Sequence, residues 1–215
     1  MVAAREGRHN PRKPNPRRRL AHTGTIVCMT ALKKLLVLCS LGSALAGAAY
    51  ADEVTDIYDG HIRTIEREIL GLAQKMPADK YDFAPTNGTY TGVRTFGLQV
   101  RHIATVLYLI SASVLNEKAP VEMDPDENGP ATLKTKDQIV EYFQGAIAYS
   151  HKAMGSLTQK NMLDQVKAWN GRGMAPRLAA AAFAGWHSFD HYGQMVVYAR
   201  ANGVVPGNAP AAGKK

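Results

Sequence analysis

Four stretches of about twenty residues carry apolar side chains at three- and four-residue spacings, and none sustains the alternation of a strand. Each such stretch must bury one face of a helix. Four of them joined by modest loops satisfy one another as an up-down four-helix bundle, so the expected fold class is all-α. The first helix is expected from about Glu53 to Lys75, with Val54, Ile57, Tyr58, His61, Ile65, Ile69 and Leu72 on its face and Pro77 stopping it. The second runs from about Val93 to Asn116, through Phe96, Val100, Ile103, Val106, Leu107 and Ile110. The third begins near Thr135, where a threonine N-cap and Gln138 three residues on fit a capping box. It continues through Ile139, Phe143, Ile147, His151 and Met154 to about Gln159. The fourth runs from about Pro176 to Ala201: Pro176 suits a first turn, Asn202-Gly203 suits a left-handed end, and Pro206 follows.

The charge of the chain misleads until it is located. The 215 residues hold 26 Lys and Arg against 18 Asp and Glu, a net charge of +8 that by itself suggests a nucleic-acid partner. Nine of the basic residues and one acid, Glu6, fall within residues 1–51. Residues 52–215 therefore carry seventeen of each sign, and no nucleic-acid partner is expected for them. Both cysteines, Cys28 and Cys39, also lie in the leader, which leaves the body without a thiol nucleophile, a disulfide or a cysteine metal site.

From Met29 the leader has the layout of a secretory signal peptide. Lys33 and Lys34 precede an apolar run from Leu35 to Ala49, and Ala49-Tyr50-Ala51 places small residues where a signal peptidase reads them. The apolar run is shorter than the roughly 20 residues of a membrane span, and Leu38 before Cys39 speaks against lipidation. Residues 1–28, rich in Arg and Pro, read as a mis-assigned start upstream of Met29 or as an extended n-region, disordered in either case. The expectation is an exported, periplasmic protein with signal peptide 29–51, no membrane attachment after cleavage, one domain over 52–206 and a disordered tail at 207–215.

Five histidines remain after the leader: His61, His102, His151, His187 and His191. In His187-Ser-Phe-Asp-His191 two imidazoles stand at i and i+4, about 40° apart around a helix and about 6 Å along it. Both can turn toward one ion at metal–nitrogen distances of about 2.0–2.1 Å. Phe183, Gln194 and Tyr198 share their face. The same spacing also fits two helix-surface or hydrogen-bonded core histidines, and Ser188 stands where an HExxH zincin would carry its glutamate. A third ligand must come from another helix. His102 is best placed, His61 is the reserve, and His151 reads as solvated or structural. Asp190, Tyr198 and Tyr58 are the candidate general acids or bases, and Asp190 is also a candidate for orienting an imidazole. Their plainer readings are a solvated carboxylate and ordinary interhelix packing. Trp169 and Trp186 read as core or pocket-wall residues.

Three segments resemble a known family: KYDFAP (Lys80 to Pro85), FGLQVRHIA (Phe96 to Ala104) and HSFDHYGQMVVYARANGVVP (His187 to Pro206). Over roughly residues 52–206 the chain is similar to the DinB (damage-inducible) and YfiT-like metalloenzymes. The resemblance implies a four-helix bundle with one metal-binding histidine on the second helix and an HxxxH pair on the last. It thus implies metal ligands at His102, His187 and His191. Zinc and nickel are the divalent ions expected of such a site. Tyr192 departs from the family's usual HxxxHRGQ and removes a cation from beside the site, whereas Gly193 and Gln194 fit. The implied function is an exported metal-dependent enzyme, a hydrolase or thiol-type transferase acting on a small molecule, in a family whose bundles are often homodimers. The alternative is a noncatalytic periplasmic bundle that binds a metal or a ligand. A role in DNA damage, suggested by the family's name, fits neither the neutral body nor the signal peptide.

Overall fold

The computed structural model describes residues 53–122 and 124–207. The segment 1–28, the signal peptide expected at 29–51 and all but the first residue of the tail lie outside the described residues. Among the described residues four long helices dominate, and their limits follow local chemistry. Helix α1 occupies residues 53–75 and is α-helical except for a π turn over Glu66–Leu70. Helix α2, Phe96–Leu115, starts where the Thr95 hydroxyl accepts from Leu98 N, and it ends at Asn116 in the left-handed region (φ 56°). Helix α3, Lys136–Gly155, has the expected capping box, with Thr135 and Gln138 each accepting from the other's backbone. Helix α4, Arg177–Ala201, follows Pro176 and gives way to Gly203 at φ 75°.

Helix α2 is the spine. It packs on both α3 and α4, while α1 packs on α3. Phe96, Val100, Ile103, Val106, Leu107, Ile110 and Val114 of α2 are fully buried. They meet Ile62, Ile65, Ile69 and Leu72 from α1, Phe143, Ile147 and Met154 from α3, and Ala180, Ala181, Ala184, Met195 and Ala199 from α4. Full burial of one Leu, Ile or Phe is worth about 1.5–3 kcal/mol, so α2 carries a large share of the apolar stabilisation. By length and composition alone this helix (mean hydropathy 1.4) is apolar enough to cross a membrane, but 78% of the window is buried inside the bundle. Its apolarity is that of a helix buried in the core of the bundle.

Two features depart from the sequence reading. A short antiparallel hairpin, β1 (Gln165–Lys167) and β2 (Met174–Pro176), pairs Val166 with Ala175. Three residues per strand are too few for alternation to show, and the turn depends on Gly171 and Gly173 at φ 72° and 93°. Ser113 at the end of α2 donates to Lys167 O at 2.7 Å and anchors the hairpin to the spine. The second departure is the π turn, which no spacing in α1 announces.

Candidate metal centre

The bundle brings His102 of α2 together with His187 and His191 of α4. One nitrogen from each ring lies within 4.8 Å of the others, so a single ion can be reached by all three. Ring centroids are 5.1 Å apart for His102–His187, 4.6 Å for His102–His191 and 4.7 Å for His187–His191. His102 and His191 are buried, and His187 is partly so. The i, i+4 spacing aims the two α4 rings the same way, and the packing of α2 against α4 supplies the third.

Each ring has a different partner on its far side. The N–H at Nδ1 of His102 donates to the Glu127 carbonyl at 3.0 Å, and that at Nδ1 of His191 donates to Gln99 Oε1 at 2.8 Å. In both rings Nε2 is left as the free lone pair. His187 Nδ1 is buried and has no hydrogen-bond partner. A bare buried nitrogen of this kind costs roughly 1–3 kcal/mol, and an ion at the triad is one way to satisfy a nitrogen of that ring. Three imidazoles with lone pairs to offer fit a divalent, borderline-soft ion.

Electrostatics keep the rings in the ligating form. Burial lowers the pKa of His102 from 6.5 to about 4, aided by the charges of Arg94 and His191 and opposed by the Glu127 bond and Asp124. His187 falls to about 3, again mainly through burial, then through His191, His102 and Arg94. His191 is lowered by burial and Arg94, against Asp190. All three are neutral at pH 7, as metal ligands must be.

The loop between α2 and α3 is part of the site. Arg94 donates from Nε to Asn128 Oδ1 at 2.8 Å and from Nη2 to Asp126 O at 2.9 Å, gripping the residues on either side of Glu127. Arg101 donates to the carbonyls of Gly129 and Pro130. Glu127 is held at φ 56° and Gly129 at φ 72°. A Cβ on Gly129 would sit 2.5 Å from Thr105 Oγ1, so only glycine lets the loop lie this close to α2. These contacts deliver the Glu127 carbonyl to His102. The sequence reading missed Gln99, Arg94 and Glu127. Gln99 could have been found, because it lies three residues before His102 on the same helical face; nothing local marks Glu127. Arg94 also answers the cation missing at Tyr192, since its charge reaches all three imidazoles from the loop side.

The remaining candidates fall outside the cluster. Asp190 is exposed, and its charge acts on His191, but the acceptor at His191 Nδ1 is Gln99. Tyr198 is buried with its hydroxyl hydrogen-bonded to Gln99, so it reaches the triad through that amide. Tyr58 packs edge-on against the exposed His61, apart from the triad. His151 bonds Asp59 and lies 3.6 Å from Glu66, the structural setting expected of it. Phe183 stacks on His187 at 5.3 Å and meets Trp169 at 4.8 Å, which makes Trp169 an outer wall of the site. Trp169 also lines a cleft of about 550 Å³ with Asn116, Lys118 and Lys167. Trp186 is neither core nor pocket wall: it touches Phe183 edge-on but is 61% exposed.

No curated protein matches the chain. Two DinB-like proteins are among the solved structures that share the fold. A DinB-like protein of Bacillus subtilis is 18% identical, with a TM-score of 0.54 over 74% of this chain and 99% of that one. A DinB-like protein of Bacillus cereus is also 18% identical, with a TM-score of 0.50 over 70% of this chain and 96% of that one. The family model of the DinB superfamily matches residues 61–195, from α1 through both histidines of α4, and the chain belongs to that superfamily.

Proposed function

We propose that the protein is an exported, periplasmic, metal-dependent enzyme acting on a small molecule, with His102, His187 and His191 holding one zinc or nickel ion. The observation that carries this reading is the meeting of three neutral imidazoles from two helices with their ligand atoms within 4.8 Å. Three protein ligands leave a position open, the pattern of catalytic rather than closed structural sites. A divalent ion there supplies Lewis acidity and a bound water whose pKa falls toward 7, chemistry that suits a hydrolase or a transferase acting on a thiol conjugate. The chain's own residues do the rest. His102 and His191 are oriented through Glu127 and Gln99, and Phe183 with Trp169 keeps water from one flank of His187. Asp190, exposed beside His191, is placed to exchange protons with solvent, and Tyr198 supports the site from the Gln99 side. The neutral charge of residues 52–215 favours a small-molecule substrate over a nucleic acid.

Elemental analysis of the protein purified without a polyhistidine tag tests the site. One equivalent of zinc or nickel in the wild type, lost in both His102→Ala and His187→Ala, supports the triad. Wild type that stays metal-free and helical after incubation with both ions overturns it. Activity is a separate question. Turnover of esters, amides or thiol conjugates that disappears with the metal supports an enzyme; a metal-loaded protein inert toward all three supports a noncatalytic binding bundle.

A further inference from the structure

Two of the three imidazoles are oriented by different kinds of partner, and the difference matters. The partner of His102 is a main-chain carbonyl, which can only accept, so Nδ1 must carry the proton there. The partner of His191 is the Gln99 carboxamide, which presents an acceptor at one end and a donor at the other. Turned over, that amide would donate to Nδ1, place the proton on Nε2 and close the nitrogen His191 would offer to an ion. Something must set which end faces the ring.

We propose that Gln99 is a positioning residue that fixes His191 in the Nδ1–H form before any metal arrives, with the other end of its amide given to Gln194. Gln99 is 2% exposed on α2, one turn ahead of His102. Its Nε2 donates to Gln194 Oε1 at 2.9 Å, and its amide also hydrogen-bonds the Tyr198 hydroxyl. With Nε2 given to Gln194, Oε1 is the end that faces His191, at 2.8 Å. Gln194 and Tyr198 follow His191 by three and seven residues, so the same face of α4 that carries the ligand also carries the groups that meet its partner. Every acceptor in this chain is neutral.

The inference rests on the triad reading, yet it is testable in the protein free of metal. Nitrogen-15 NMR of the histidine side chains distinguishes the two neutral forms directly. In stripped wild type at pH 7.5, His191 is expected as Nδ1–H with Nε2 unprotonated. Gln99→Leu should shift it toward Nε2–H, the form free neutral histidine favours, and weaken cobalt or zinc binding about 10- to 100-fold. Gln99→Glu, which keeps an acceptor at Nδ1, should restore both the proton position and most of the affinity, which a merely structural role would not do. Gln194→Ala, on the exposed side of the chain, should shift His191 partway without loss of helicity. His191 found as Nε2–H in the wild type, or unchanged in form and affinity in folded Gln99→Leu, overturns the proposal. A wild type with the Nδ1–H form that binds no metal would instead overturn the metal reading and leave the role of Gln99 standing.

Discussion

The histidine triad and the surroundings of His151 are built in opposite ways. At the triad the rings are buried or partly buried, and the two fixed imidazoles give their N–H groups to uncharged oxygens, Glu127 O and Gln99 Oε1. Between α1 and α3, His151 is about a third exposed and faces two carboxylates, Asp59 at 2.5 Å and Glu66 at 3.6 Å. The first arrangement gathers one nitrogen from each of three imidazoles within 4.8 Å of the others, and the second uses its histidine to tie two helices together. Sequence spacing alone does not separate them, because a histidine on a bundle helix can serve either purpose.

The largest expected contrast is in metal binding. His102→Ala or His187→Ala should lower zinc affinity by at least two orders of magnitude, read by competition with a chelating dye, whereas His151→Ala should leave it unchanged. At free zinc a thousand times the dissociation constant, wild type should gain about 4 kcal/mol of stability over the stripped protein. A gain of similar size in His187→Ala would break the comparison.

The triad should also make the stripped protein acid-sensitive. The folded-state pKa values of His102 and His187 lie near 4 and 3, below the 6.5 of an unfolded histidine. Between about pH 6.5 and pH 3–4 the unfolded chain binds more protons than the folded one, so stability is constant above that window and declines as pH falls through it. At about 1.4 kcal/mol per pKa unit, reduced for solvent screening, the loss should total roughly 4 kcal/mol. Urea midpoints at pH 7.5, 6, 5 and 4 measure it. Removing both rings in a His102→Gln, His187→Gln variant should flatten the curve.

A smaller effect tests the loop that serves His102. Gly129→Ala combines a left-handed backbone (φ 72°) with a Cβ 2.5 Å from Thr105 Oγ1. It should cost about 1–3 kcal/mol and weaken metal binding by displacing the Glu127 carbonyl. Thr135→Ala, which removes the α3 cap, should cost a similar 1 kcal/mol with no effect on the metal.

Much of this was legible in the residues, and what was not has a physical cause. Helices α2, α3 and α4 follow from apolar spacing and from caps such as Thr135 and Pro176, whose chemistry is complete within three or four residues. The HxxxH pair is local too, and His102 could be ranked above His61 from its helix face. The hairpin and the π turn were hidden, because three-residue strands and one wider turn leave no period to read. Glu127 was hidden more deeply. It acts through its backbone carbonyl, which every residue has, and it lies 25 positions from the ring it serves. Only the two arginines that pull the loop onto α2 make that carbonyl special.

The smallest prediction is the one that most directly separates the two settings. His151→Gln keeps a donor for Asp59 but removes the ring that reaches Glu66, on the turn where α1 widens into its π geometry. A partly exposed pair is worth about 0.2–1 kcal/mol, and salt screens it further. The substitution should therefore lower the free energy of unfolding, measured by urea titration, by less than about 1 kcal/mol. Metal affinity and the His191 nitrogen spectrum should not move. If instead His151→Gln alters either readout, the π turn must couple α1 to the triad. Tyr192 would be the route to examine first, because it follows His191 on α4 and hydrogen-bonds Glu68 within that turn.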